Sequence, residues 1–174
     1  MSVDNVGGAE PKTTASKLAA AFHHAGHAVA AHLSEFHALA LPLRIDSYGT
    51  GEVTAALSRR KLIAANKRAE VSARADPEVA TSIATILCAG LASEQIAAAR
   101  RLPVKPDRER STGDLEMARA ELAHAGIGGG TQPYEEAATA LLTEHWAHVQ
   151  SVAERLAVAE EMAPHEIAAL LASA

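Results

Sequence analysis

His23-His24-Ala25-Gly26-His27-Ala28 is the stretch on which the reading of this chain turns. On a helix, residues four apart share one face, so His23 and His27 can converge on a single metal ion. That is the mechanics of the H-E-x-x-H helix, in which two histidines ligate zinc and the glutamate acts on the attacking water. Here His24 stands at the glutamate's position. The spacing predicts a metal, and the missing carboxylate argues against ordinary proteolysis.

Outward from this segment, a first helix is expected over residues 16–33, capped by Thr14 or Ser16. Leu18, Phe22, Ala25, Val29 and Leu33 make its apolar stripe, beside the His23/His27 face. Leu41-Pro42-Leu43-Arg44-Ile45-Asp46 alternates, and Gly51-Glu52-Val53-Thr54-Ala55-Ala56-Leu57 follows a Tyr-Gly-Thr-Gly turn, which predicts a short β-hairpin. The basic stretch 58–75 reads as a solvated helix or a connection. Asp76-Pro77-Glu78 opens the next helix with a capping residue and a first-turn proline, and Val79, Ile83, Ile86, Leu87 and Leu91 form its buried face. A polar loop follows over 101–110. A third helix is expected from about Thr112 to Gly126, a long fourth from Thr131 and Pro133 to about Met162, and a short last one from Pro164. The fold class is therefore mainly α (α+β), one helical domain over 13–174 with a short hairpin, preceded by a flexible lead-in over 1–12.

Composition narrows the partners. The 174 residues are 48% hydrophobic but only 3% aromatic, so the core must be built from Ala, Leu, Val and Ile. A net charge of -5 gives no reason to expect nucleic acid or an anionic membrane, and the basic stretch lacks the interleaved aromatics that a nucleic-acid surface uses. With no uninterrupted apolar run of bilayer length and no signal-peptide pattern, the expectation is a cytoplasmic protein without a membrane partner. The single cysteine, Cys88, reads as a small buried side chain. Glu121-Leu122-Ala123-His124 has di-iron spacing but no second copy. His32 and His37 read as surface or packing residues, and Trp146 as a packing aromatic.

Two histidines need a third ligand, since a catalytic zinc site takes three protein donors and leaves one position open. Asp114 in Ser111-Thr112-Gly113-Asp114-Leu115 is the best candidate, because the first turn of a helix favours an ionised carboxylate. A capping role explains the same residue without any metal.

At this point the chain resembles the peptidase domain of the FtsH family, the membrane-anchored ATP-dependent zinc proteases. That family shows H-E-A-G-H-A where this chain has His23-His24-Ala25-Gly26-His27-Ala28. It then shows a short hairpin and G-G-R-A-A-E, matched by Ala89-Gly90-Leu91-Ala92-Ser93-Glu94. Next comes T-G-A-S-N-D-L, shortened here to Ser111-Thr112-Gly113-Asp114-Leu115, and finally a long and a short helix. The resemblance spans residues 17–171. It implies zinc held by His23, His27 and Asp114, with Glu94 as a supporting carboxylate. The family's phosphate-binding G-x-x-x-x-G-K-[ST] is absent, so any ATPase would be a separate partner. Ring formation, as in the family, leaves a homo-oligomer open.

His24 bears on the chemistry that the resemblance implies. General acid–base assistance by the motif glutamate is typically worth about 100- to 10,000-fold. An imidazole close to a divalent cation is a weaker base and offers one acceptor nitrogen instead of two oxygens. Zinc with two neutral histidines and Asp114 would keep one formal positive charge, which neutral His24 does not cancel. The expectation is a site that holds anions or a peptide carboxylate more readily than it cleaves amides. A slow but genuine metallopeptidase using His24 or Glu94 as base is the alternative, and a metal-free regulatory or scaffolding protein is the other.

Overall fold

Two alanine-rich helices can lie closer together than most, provided glycine or alanine stands where their backbones meet. The computed structural model, which describes residues 10–48 and 55–173, puts such a contact at its centre. Helix α1 (Glu10–Leu33) packs on helix α3 (Pro77–Ala99). At the crossing, a Cβ on Gly26 would stand 2.3 Å from the Ala89 carbonyl oxygen and 2.7 Å from Ser93 Cβ. Every residue of α1 from Ala19 to Ala31 is buried, so the helix is apolar nearly all round, apart from its histidines.

The remaining elements in chain order are β1 (His37–Leu39), β2 (Leu43–Arg44), a 3-10 turn (Ile45–Ser47), β3 (Ala55–Leu57), α2 (Arg59–Ala64) and a second 3-10 turn (Val71–Ala75). After α3 come α4 (Thr112–His124), α5 (Gln132–Glu144), α6 (Trp146–Ala159), β4 (Glu161–Met162) and α7 (Pro164–Ala172). The domain is mainly helical, as expected. Helix α3 touches α4 and α5 as well as α1, while α6 covers the other side of α1. Asp76 caps α3 by accepting from Glu78 N at 2.9 Å and Val79 N at 3.4 Å, and the predicted buried face of α3 is buried throughout.

Three expectations are corrected. Helix α1 begins at Glu10, so Thr14 and Ser16 lie inside it and neither caps it, and Glu10, Pro11 and Lys12 of the expected lead-in are helical. Pro11 is its second residue, where a missing N–H costs nothing. The hairpin has a different first strand: β3 pairs antiparallel with β1, His37 opposite Leu57, whereas Leu43 and Arg44 pair with Met162 and Glu161 of β4. Residues 49–54, which hold most of the predicted turn and the start of its second strand, lie outside the described residues. The long fourth helix is two helices broken at His145, whose φ of -103° and ψ of 29° leave the helical range. No proline or glycine marks the break. Packing accounts for it, because α5 serves α3 while α6 lies against α1 and stacks Trp146 on Phe22 with ring centres 5.5 Å apart. The basic stretch is in part the solvated helix expected, since α2 is short and mostly exposed, but two of its lysines are tied down. Lys61 Nζ donates to the carbonyls of Ala31, His32 and Ser34, satisfying the C-terminal end of α1, and Lys67 pairs with Asp76 and Glu78.

Helix α3 has the length and mean hydropathy, 1.4, of a membrane span, but 72% of that window is buried inside the protein, where it forms the core. Cys88 on the same helix is fully buried, and its thiol is pushed up to about 12 by burial and by the charges of Glu135 and Asp114. His37 is buried and bonded to serines, and His32 is exposed, as packing and surface residues should be.

The close crossing makes a stability prediction. Gly26→Ala forces a methyl into the Ala89 carbonyl, and overpacking of this kind costs about 1–3 kcal/mol. Thermal unfolding should drop by roughly 2–12 °C for a chain of this size; an unchanged midpoint would show that the helices separate freely.

Candidate metal centre

His23 and His27 lie one turn apart on the face of α1 turned toward α3, and Asp114 reaches them from the first turn of α4. The side chains meet. His23 Nε2 is 3.0 Å from His27 Nε2 and 3.1 Å from Asp114 Oδ2, and His27 Nε2 is 3.5 Å from the same oxygen. All three residues are buried. Donors at about 2.0–2.1 Å from a tetrahedral metal stand about 3.3 Å from one another, so this triangle has the size of one face of such a site. Among the described residues, His23, His27 and Asp114 form a group that could hold a metal ion.

Hydrogen bonding fixes which nitrogens are free. His23 Nδ1–H donates to Glu94 Oε1 at 2.7 Å, and His27 Nδ1–H donates to the Ile86 carbonyl at 2.7 Å. A carboxylate and a carbonyl can only accept, so in each neutral imidazole the Nδ1 carries the proton and the Nε2 presents a lone pair. Two lone pairs and a carboxylate oxygen thus point at one spot. Such an arrangement is repulsive unless a proton or a cation lies among them. Orientation of metal-binding histidines by a carboxylate or carbonyl behind them is the usual supporting arrangement.

The electrostatics of the cluster agree. Burial lowers the His23 pKa, but bonds to Asp114 and Glu94 outweigh it and leave the net value raised above 6.5. Burial raises that of Asp114, but His27 and His23 outweigh it and hold the carboxyl well below the usual range. The two carboxylates, Asp114 and Glu94, thus favour positive charge among these side chains.

Space for the imidazoles comes from a glycine. A Cβ on Gly90 would stand 2.5 Å from His27 Nε2 and 2.7 Å from His23 Nε2, in clash with both rings. Glu94, one turn further along α3, is fully buried and accepts three hydrogen bonds. His23 and Tyr48 OH, the latter at 2.9 Å, share Oε1, and Asp107 N reaches Oε2 at 2.8 Å. Tyr48 is kept protonated, its phenol pKa raised by burial and by the Glu94 charge.

His24 sits beside this cluster and not in it. Its ring lies edge-on to His23 with centres 5.6 Å apart. The side chain is buried, with Nε2 3.4 Å from Ser47 Oγ and Nδ1 without a hydrogen-bond partner. Burial, then the charges on His23 and His27, push it down to about 3. At neutral pH it is a neutral ring and a poor proton acceptor. Among the described residues, Glu121 and His124, the other spacing noted in the sequence, form no such cluster, and Glu121 is bound instead to Arg74.

The sequence reading missed Tyr48, Gly90's steric role, the Ile86 carbonyl and the Asp107 amide. Gly90 carried a signal, standing inside an apolar helical pattern six residues before Ile96 with no turn to justify it. The other three carried none, because backbone groups and a tyrosine 46 positions from Glu94 leave no local pattern. Comparison with protein-family models, with curated proteins and with solved structures gave no match.

A titration with a divalent transition metal should find one equivalent bound by the unaltered protein and none at comparable affinity by Gly90→Ala, whose methyl fills the site. Metal must displace the proton that His23 holds through its raised pKa, so affinity should fall as pH drops, beginning above 6.5. Equal uptake by both proteins, or uptake indifferent to pH, would contradict this geometry.

Proposed function

We propose that the protein is a zinc-binding domain related to the peptidase domain of the FtsH family, with peptide binding retained and hydrolysis weak or lost. The observation that carries the proposal is the convergence of two tautomer-locked imidazoles and one carboxylate around a glycine-lined space. Two nitrogens and one oxygen suit zinc, and three protein donors leave a fourth position for an exchangeable ligand. The order of the motifs along the chain supports the kinship, including Glu94 behind His23 and Asp114 in a helix's first turn.

A bound zinc would act as a Lewis acid on a carbonyl and make a water molecule acidic. What the chain's own residues do then decides the outcome. Proton transfer at the position after His23 falls to His24, whose pKa of about 3 makes it a feeble base. Glu94 is no substitute, because its oxygens are committed to His23, Tyr48 and Asp107. The absent carboxylate also removes one negative charge from the metal's neighbourhood, which favours an anion such as a peptide C-terminus or acetate.

Room for a peptide lies alongside. A cavity of about 360 Å³ is lined by Ala55 and Leu57 of β3, Ile83 and Leu87 of α3, and Met117 of α4. Leu87 and Met117 are three residues from Gly90 and Asp114, so the cavity lies about one helical turn from the metal ligands. It suits an apolar side chain, and β3, which pairs with β1, runs along it.

The test is hydrolysis of a fluorogenic peptide by zinc-loaded protein, beside zinc-loaded His24→Glu. The unaltered protein should cleave no faster than its metal-free form, and His24→Glu should gain at least about 100-fold, the lower range for a positioned acid–base group. Efficient cleavage by the unaltered protein, unaffected by the exchange, would identify a working peptidase. Absence of bound zinc would remove the proposal altogether.

A further inference from the structure

A short strap supplies the site with a residue that no metal-binding pattern foretells. Residues 43–48 run from β2 through a 3-10 turn, and they are clamped to the far end of the chain. Leu43 and Arg44 pair with Met162 and Glu161, and Ile45 N donates to the Glu160 carbonyl at 3.1 Å. The strap ends at Tyr48, whose ring lies 5.0 Å from that of His23 and whose hydroxyl donates to the fully buried Glu94. The Arg110 guanidinium sits over the Tyr48 ring at 5.0 Å and reaches Asp107 at 3.4 Å. Asp107 N is the third donor to Glu94. The strap and the loop before α4 therefore grip one carboxylate from two sides.

The geometry points to Tyr48 as a positioning residue of the metal centre, acting on His23 through Glu94. This inference rests on the metal-binding reading above. Oε1 of Glu94 receives both the Tyr48 O–H and the His23 Nδ1–H, and Oε2 is pinned by Asp107. With both oxygens engaged, the carboxylate plane is set, and it holds the His23 ring with Nε2 toward Asp114. Loss of the hydroxyl frees one corner of that arrangement while leaving the aromatic ring, the Arg110 contact and the surrounding packing in place. Partners behind metal ligands typically matter about 10- to 100-fold in affinity. Tyr48 stands one bond further out, so its effect should be smaller, roughly 3- to 10-fold.

The experiment measures zinc affinity, by competition with a chromophoric chelator, for the unaltered full-length protein, Tyr48→Phe, Glu94→Gln and the double variant. Tyr48→Phe should bind roughly 3- to 10-fold more weakly and Glu94→Gln about 10- to 100-fold more weakly. The double variant should match Glu94→Gln alone, since Tyr48 acts only through Glu94. A general packing role would instead add the two losses. Proton NMR of the unaltered protein gives a reading independent of any variant. The Tyr48 hydroxyl proton and the His23 Nδ1 proton, aimed at one oxygen, should exchange slowly and show cross-relaxation. Equal zinc affinity of Tyr48→Phe and the unaltered protein, additive losses, or a rapidly exchanging Tyr48 hydroxyl would each overturn the inference while leaving the metal centre standing. An unaltered protein that takes up no zinc would overturn both.

Discussion

The near-contact of α1 and α3 is the constraint on which the rest depends. Gly26 brings the α1 backbone within reach of the Ala89 carbonyl, and Gly90 leaves room for the two imidazoles that α1 carries. The same approach buries an apolar stripe from each helix and sets Glu94 behind His23. Packing and chemistry are thus two consequences of one spacing. A bulkier residue at either glycine would separate the helices and misdirect the histidines together.

Electrostatics then imposes a requirement on the packed site. A fully buried carboxylate is costly unless it is hydrogen-bonded, and Glu94 meets this with three donors from three parts of the chain. Asp114 meets it with the imidazoles. Because Glu94 and Ile86 claim the Nδ1 protons, the opposing Nε2 lone pairs have nothing to face but each other and Asp114. A centre arranged so has a physical need for positive charge, and this need is independent of any kinship. His24 adds none, since burial keeps it neutral. At neutral pH it therefore offers the cluster no charge and only a weak base.

Much of this was legible in local sequence. The i, i+4 histidines, the Asp76-Pro77-Glu78 helix start and the apolar face of α3 all follow from spacings within a few residues, and all are present. Asp114 was legible as a first-turn carboxylate and Glu94 through a motif correspondence. What escaped depends on distant partners. Strand β2 finds its mate over a hundred residues away in β4, and no turn chemistry announces that. The break at His145 lacks a helix breaker and follows from the separate packing of α5 and α6. Tyr48 belongs to the same class, a side chain made functional by where its strap is clamped.

The most direct test of the account is X-ray absorption spectroscopy at the zinc edge of the loaded protein. Two imidazole nitrogens and oxygen donors at about 2.0–2.1 Å are predicted, with the oxygen shell altered in Asp114→Ala. A shell of oxygen alone, a sulfur donor, or a spectrum unchanged by the loss of Asp114 would contradict a centre made of His23, His27 and Asp114.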